Sequence, residues 1–360
     1  MAILNPNNLQ SPISPHSMSR QALFFTAPYH VELRDEPLPR PAPGELLLQT
    51  VVSAISAGTE MLLYRGQMPG GIVADETIAS LAGEMAYPLK YGYAAVGRVV
   101  ETGAGVDESW NGRLLFSFQP HQTHFTARLE ECLPVPDGVT AEMAAFLPNM
   151  ETAVSFLMDG QPMLGEQVAV FGQGIVGLLT TSLLAQLPLA SLITLDAHPL
   201  RREWSQKRGA HASLDPMQPN VVAELRGQLQ GKRPFAGADL VYELSGNPAA
   251  LDQAIAAAGY SGRVVVGSWY GQKQATLNLG GHFHRNHIRL ISSQVSTIAP
   301  PWNGRWTKPR RLQTAWEMVQ RHNPTPLITH RFPIHAAAEA YQLLAQQPSD
   351  VLQIIFQYGD

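Results

Sequence analysis

Three glycines and an acid stand at spacings that suit a phosphate-bearing ligand. Gly172, Gly174 and Gly177 in "VFGQGIVG" follow an apolar run, "QVAVFG", and open a stretch of helical periodicity; Asp196 ends a second apolar run, "SLITLD", 19 residues past the last glycine. Strand, glycine turn and helix in that order make a phosphate cradle. Gly172 permits the tight turn, Gly174 lets backbone amides approach a pyrophosphate, and Gly177 lets the helix close on the sheet. Ile175 and Val176 begin the helix whose N-terminus would meet the negative charge. Asp196 would accept hydrogen bonds from both ribose hydroxyls and repel a 2′-phosphate, which predicts NAD before NADP. NADP stays open through Arg201 and Arg202, guanidinium groups placed to meet such a phosphate. Ser245-Gly246 in "YELSGN" and Gly267-Ser268 in "VVVGSW" end predicted strands on small residues. Ligands of open α/β sheets lie beyond those carboxyl ends, so both pairs are expected near the nicotinamide half.

Histidine and cysteine narrow the chemistry further. Cys132 is the one cysteine of the chain, which excludes an internal disulfide and any zinc site built from several thiolates; it reads as a small packed side chain. His121 and His124 in "FSFQPHQTHF" lie three apart, so on a strand they face opposite sides. Pro120 sets His121 in a loop, and His121 is the one expected to reach a cleft. His282, His284 and His287, with Arg285, read as a polar connection rather than a metal site.

The elements that must carry these residues fall into two halves. At 360 residues the chain suits two structural units. Residues 21–148 are short β-like runs broken by Gly and Pro, among them "GELLLQTVVSAIS" and "YAAVGRVVETG". Residues 149–295 alternate buried-looking strands with helical stretches, about six strands in all, the pattern of a doubly wound parallel sheet. Residues 296–360 supply two amphipathic helices and a strand, part of which is expected to return to the first unit. Residues 1–20 read as a flexible polar leader, with Met18 a more natural start. With 45% hydrophobic and 15% charged residues and a net charge of -4, no large basic surface is left for nucleic acid. No apolar run approaches the ~20 residues of a membrane span, and no secretion signal is visible, so a cytoplasmic protein is expected.

Several longer motifs together resemble the medium-chain dehydrogenase/reductase superfamily: "ISAGTEMLLYRG", "YGYAAVGRVVETGAGV", "LPNMETAVSFL", the glycine loop, and "PIHAAAEAYQLLAQQ". The resemblance covers about residues 21–360 and implies a GroES-like β-barrel catalytic domain joined to a Rossmann dinucleotide-binding domain, an α/β fold, assembled as a homodimer. Zinc alcohol dehydrogenases of the superfamily carry Cys in the first motif, Gly-His-Glu in the second and Cys or an acid in the third. Here Ala57, Tyr93-Ala94 and Pro148 stand at those places, so no zinc is expected. Glu60 and Glu151 lie near enough in sequence to be weighed as displaced ligands, but Thr59-Glu60 matches the family's non-ligand positions. Within the superfamily the chain looks most like the zinc-less branch containing bacteriochlorophyllide a dehydrogenase, although Ala94 departs from the acid expected there.

Hydride transfer without zinc still needs alignment and a partner for the reacting oxygen. The resemblance puts Tyr93 at a former ligand position, where its phenol would donate to a carbonyl oxygen, with a carboxylate such as Glu60 or a histidine such as His121 passing the proton onward. Thr59 matches the hydroxyl that relays the substrate proton, and Thr152 the residue that supports the nicotinamide ring. Trp269, Tyr270, Trp302 and Trp306 would line an apolar pocket for a bulky small-molecule substrate. The expected reaction is NAD(H)-dependent interconversion of a secondary alcohol and a ketone. The alternatives are NADPH-dependent enone or quinone reduction on the same fold, or a non-catalytic nucleotide-binding protein.

Overall fold

The structure, a computed structural model, describes residues 19–69, 71, 78–229 and 236–359, so most of the polar leader, Met18 included, lies outside the described residues. The first unit begins with an antiparallel hairpin, β1 (Ser19–Ala27) and β2 (His30–Pro37). β3 (Glu45–Ala54) is the strand on which the unit is organised, and α1 (Thr59–Tyr64) follows it closely. β4 (Leu89–Lys90) pairs back onto β1, and β5 (Ala95–Thr102), β6 (Leu114–Ser117), β7 (His124–Arg128) and β8 (Cys132–Pro134) complete the unit's strands. Leu46, Leu47 and Leu48 of β3 are all buried, a continuous apolar run that marks a strand covered on both faces.

α2 (Ala141–Ala144) is capped by Thr140, whose hydroxyl accepts from Met143 N at 3.2 Å. α3 (Leu147–Gly160) starts with Pro148 in its first turn, where the missing N–H has no partner to lose, and it leads into the second unit.

That unit runs β9 (Gln167–Phe171), α4 (Ile175–Leu184), β10 (Ser191–Leu195), α5 (Pro199–Lys207), β11 (Ala212–Leu214), α6 (Val221–Gln228), β12 (Ala238–Glu243), α7 (Pro248–Ala257), β13 (Ala258–Val266) and β14 (Arg289–Ser292). Its six strands are parallel in the order β11-β10-β9-β12-β13-β14. Val168, Ala169, Val170 and Phe171 of β9 are all buried because helices cover both faces. The winding reverses between β9 and β12, and the crevice beyond their carboxyl ends is where such sheets take ligands.

The chain then returns. α8 (Lys308–His322), β15 (Ile328–Pro333), α9 (Ala337–Gln346) and β16 (Gln353–Gln357) follow, and β16 pairs with Val52–Ala54 of β3. The sheet they complete has the order β15-β16-β3-β5-β6-β8, with β7 also on β3. α8 packs on α3 through Leu312, Ala315 and Val319, and the buried Arg311 donates to Glu151 Oε1 through Nε at 3.1 Å and Nη2 at 2.9 Å. One apolar core runs from β3 and β6 through α3 to α4 and α8, so the two units share an interior. Among the described residues no helix is long and apolar enough to cross a membrane.

Candidate active site

β3, the turn after it and the return of the C-terminal segment converge on one buried carboxylate. Glu60, in the first turn of α1, is fully enclosed. Its Oε1 accepts from Ser56 N at 2.8 Å, and its Oε2 meets His121 Nε2 at 3.1 Å and the Tyr341 hydroxyl. His121, also fully enclosed, comes from the loop between β6 and β7, and its Nδ1 lies 2.6 Å from Ser53 Oγ, which lies 2.7 Å from the Tyr358 hydroxyl. One direction satisfies every group: Tyr358 donates to Ser53, Ser53 to His121 Nδ1, and His121 Nε2 to Glu60. Burial, and then the facing Glu60 charge, push the Tyr341 phenol well above its usual 10, so it remains a donor. Gly92 is needed here because it has φ +126°, and a side chain on it would meet His121 Cδ2 at 2.9 Å.

Directly outside this network lies a cluster of hydroxyls. Tyr93, half-buried on the turn into β5, bonds its hydroxyl to Ser56 Oγ and reaches Thr59 Oγ1 at 3.5 Å. Glu60 therefore fixes the backbone of the residue that Tyr93 touches.

In the second unit the chain turns tightly between β9 and α4. Gly172 has φ +90°, and a side chain there would lie 2.5 Å from Ser245 Cα; one at Gly177 would lie 2.0 Å from Gly172 O. Nothing stands within 4 Å of the corresponding point at Gly174, which leaves the N-terminus of α4, with Ile175 and Val176, open to a ligand. Asp196 accepts from Gln173 N at 2.7 Å and His198 N at 2.9 Å, so each oxygen keeps a lone pair for a ribose hydroxyl. These residues fit a dinucleotide.

Residues 176–318 match the family of zinc-binding dehydrogenases. The chain is 27% identical to an L-threonine 3-dehydrogenase of Pyrococcus abyssi over 359 residues, covering 90% of this chain and 94% of that one. These two matches support a place in the medium-chain dehydrogenase/reductase superfamily. A D-guloside 3-dehydrogenase of Escherichia coli K12 is 25% identical over 234 residues, 64% of this chain and 66% of that one. The same fold is found in 2R,3R-butanediol dehydrogenase from Bacillus subtilis, with a TM-score of 0.76, 18% identity and 94% and 99% of the two chains covered. An alcohol dehydrogenase from Escherichia coli CFT073, complexed with NADH, has a TM-score of 0.77 at 15% identity, with 95% and 100% covered.

Zinc, which the family's description implies, does not fit the residues that this chain places at the motif positions. Ala57 and Ala94 have no donor atom, Pro148 has none on its side chain, and Tyr93 is bonded into the hydroxyl cluster. Glu60 is held by Ser56, His121 and Tyr341, and Glu151 by Arg311. His121 does not open to a cleft as its loop position suggested, because Phe356 packs edge-on at 5.0 Å and Glu60 takes its ring nitrogen. Of the four aromatic residues expected around a pocket, Tyr270 bonds Glu243 Oε2 at 2.5 Å and Trp302 donates to Met158 O at 3.0 Å. Trp306 lies under Arg310, and only Trp269 of the four is exposed.

The remaining predicted cofactor residues are placed as follows. Thr152 Oγ1 donates to Pro148 O at 2.9 Å. Ser245 donates to the fully buried Glu243, Gly246 N donates to Ser268 Oγ at 2.8 Å, and Gly267 N to Glu243 O at 3.0 Å. Arg201 donates to Pro348 O and Val351 O and lies 3.8 Å from Asp196, and Arg202 donates to the carbonyls of Asp196 and Ala197. His282 bonds Ala258 O and lies against Arg226. Burial pushes the Cys132 thiol up to about 12, as suits a packed side chain. Sequence reasoning missed Ser53, Ser56, Tyr341, Tyr358 and Glu243. Tyr341 sits inside a quoted family motif, but its meeting with Glu60, 281 residues away in sequence, had no local signal.

Proposed function

We propose that this protein is a zinc-independent, NAD(H)-dependent oxidoreductase interconverting a secondary alcohol and a ketone. The observation that carries this reading is the hydroxyl cluster of Tyr93, Ser56 and Thr59, standing at positions where zinc members of the superfamily have metal-binding motifs. Oxidation of a secondary alcohol releases a hydride from carbon and a proton from oxygen. When bound, the nicotinamide supplies the hydride acceptor.

Tyr93 handles the oxygen. In reduction its phenol donates a proton to the ketone oxygen and is left as a phenolate, which the Ser56 and Thr59 hydroxyls stabilise until water reprotonates it; in oxidation the phenolate, its proton given up to water, accepts the alcohol proton. Glu60 does not relay this proton, because it meets the cluster through the Ser56 backbone N–H. It acts as a positioning residue, held in turn by His121 and Tyr341. Preference for NAD over NADP rests on Asp196, and on arginines already engaged by backbone carbonyls.

Fluorescence titration with NADH and NADPH, followed by turnover of Tyr93→Phe, tests the reading. Tighter NADH binding and a fall in kcat of about 10²–10⁴-fold are expected. Binding of NADPH alone would favour the enone-reductase alternative, and an unchanged kcat would remove Tyr93 from the mechanism.

A further inference from the structure

We propose that Arg65, Gln67 and Lys273, at the seam between the two units, form a subsite for an anionic group on the substrate, a carboxylate or phosphate. This rests on the dehydrogenase reading above and extends it to the class of molecule turned over. The residues after β13 lie on the turn that follows α1: Gln272 N donates to Gln67 O at 3.1 Å, and Gln272 Nε2 to Met68 O at 2.7 Å. The approach is close enough that a side chain on Gly271 would stand 2.5 Å from Gln67 O. These bonds bring Arg65, from the end of α1, and Lys273, from the nucleotide-binding unit, to one seam. Lys273 Nζ donates to Gly246 O at 2.9 Å, which sets it beside the small residues that end β12.

The cations of this seam lack an acidic partner. Among the described residues neither Arg65 nor Lys273 forms an ion pair. Glu243, the acid whose charge reaches Lys273, is already bonded by Ser245 and Tyr270. Partial burial and the Arg65 charge both act against the Lys273 ammonium. Gln67 Oε1 is buried with no hydrogen-bond partner, and with the amide turned over the same place presents an N–H₂. Two cations drawn together beside an unpaired amide are unfavourable alone and favourable around an anion.

The geometry also sets a reach. Thr59 of the hydroxyl cluster begins α1 and Arg65 follows its last residue, so at 1.5 Å per residue the two backbones stand roughly 9 Å apart along the helix, which sets the scale of the spacing between reacting carbon and anion. The cofactor's pyrophosphate has its own place at Gly174.

The test uses the full chain saturated with NADH, whose fluorescence reports binding of 4-(4-acetylphenyl)butanoate or its neutral amide, ketones of about the required length. The carboxylate is expected to bind at least about tenfold more tightly than the amide. The double variant Arg65→Ala/Lys273→Ala should erase that difference without changing NADH or amide affinity, and Arg65→Lys/Lys273→Arg should retain it. Equal affinities, no binding of the carboxylate, or a preference that survives the alanine variant would overturn the proposal. Weakened NADH binding in the alanine variant would assign the cations to the cofactor's phosphates and overturn it as well. Failure of the unaltered chain to bind NADH is a separate result, which would sink the dehydrogenase reading and this extension of it.

Discussion

Glu60 has no contact with solvent, and an isolated carboxylate in that position would be unfavourable by several kcal/mol. It is tolerated because an amide, an imidazole and a phenol converge on its two oxygens. Tyr341→Phe removes one of these donors while keeping the ring, which stacks on Tyr64 and meets Phe25 edge-on. The expected loss of stability is about 1–3 kcal/mol by chemical denaturation. If Glu60 positions the hydroxyl cluster through Ser56, the same variant lowers kcat with KM and NADH affinity unchanged. Lost stability with kcat intact would leave Tyr341 a purely structural role.

At the scale of elements, the glycine loop and α4 act as one piece. The helix reaches the loop only because position 177 has no side chain, with Gly172 O lying 2.0 Å from where one would begin. Gly177→Ala must therefore push α4 away from the turn, with an expected loss of about 1–3 kcal/mol from overpacking. NADH affinity should fall more than about tenfold, since the amides of α4 would no longer face the phosphate; native NADH affinity in this variant would count against the loop as the cofactor cradle. This turn was legible in the sequence because its parts are local: a strand, three glycines and an acid within one βα unit and the strand after it. Gln173 was not. It is fully buried and accepts from Thr181 at 2.9 Å, locking the loop through a residue that the motif treats as variable.

For the whole molecule, burial of histidine gives stability a pH dependence. His124 and His322 are pushed below their usual 6.5, chiefly by desolvation and then by nearby arginines. A histidine with a lowered folded value binds fewer protons folded than unfolded. Its contribution is therefore present above about pH 6.5 and is lost as the pH falls below it toward the folded value. Melting temperature measured from pH 7 to pH 5 should fall less steeply in His124→Gln/His322→Gln than in the unaltered chain; parallel curves would show that these rings stay solvated.

The sequence by itself determined the α/β class, the six-strand parallel unit and the glycine turn, because strand burial, helix periodicity and turn chemistry are each set by neighbours along the chain. The family resemblance implied that Ala57, Tyr93, Ala94 and Pro148 stand at the motif positions where zinc members carry ligands. Only the tertiary structure decided what His121 and Glu60 do. Closing β16 onto β3 and α9 onto the first unit brought Tyr341 and Tyr358 beside residues some 300 positions earlier, and turned two apparent cleft residues into a buried, mutually satisfied pair. Burial and partner choice between residues that far apart depend on chain return, which local spacing does not encode.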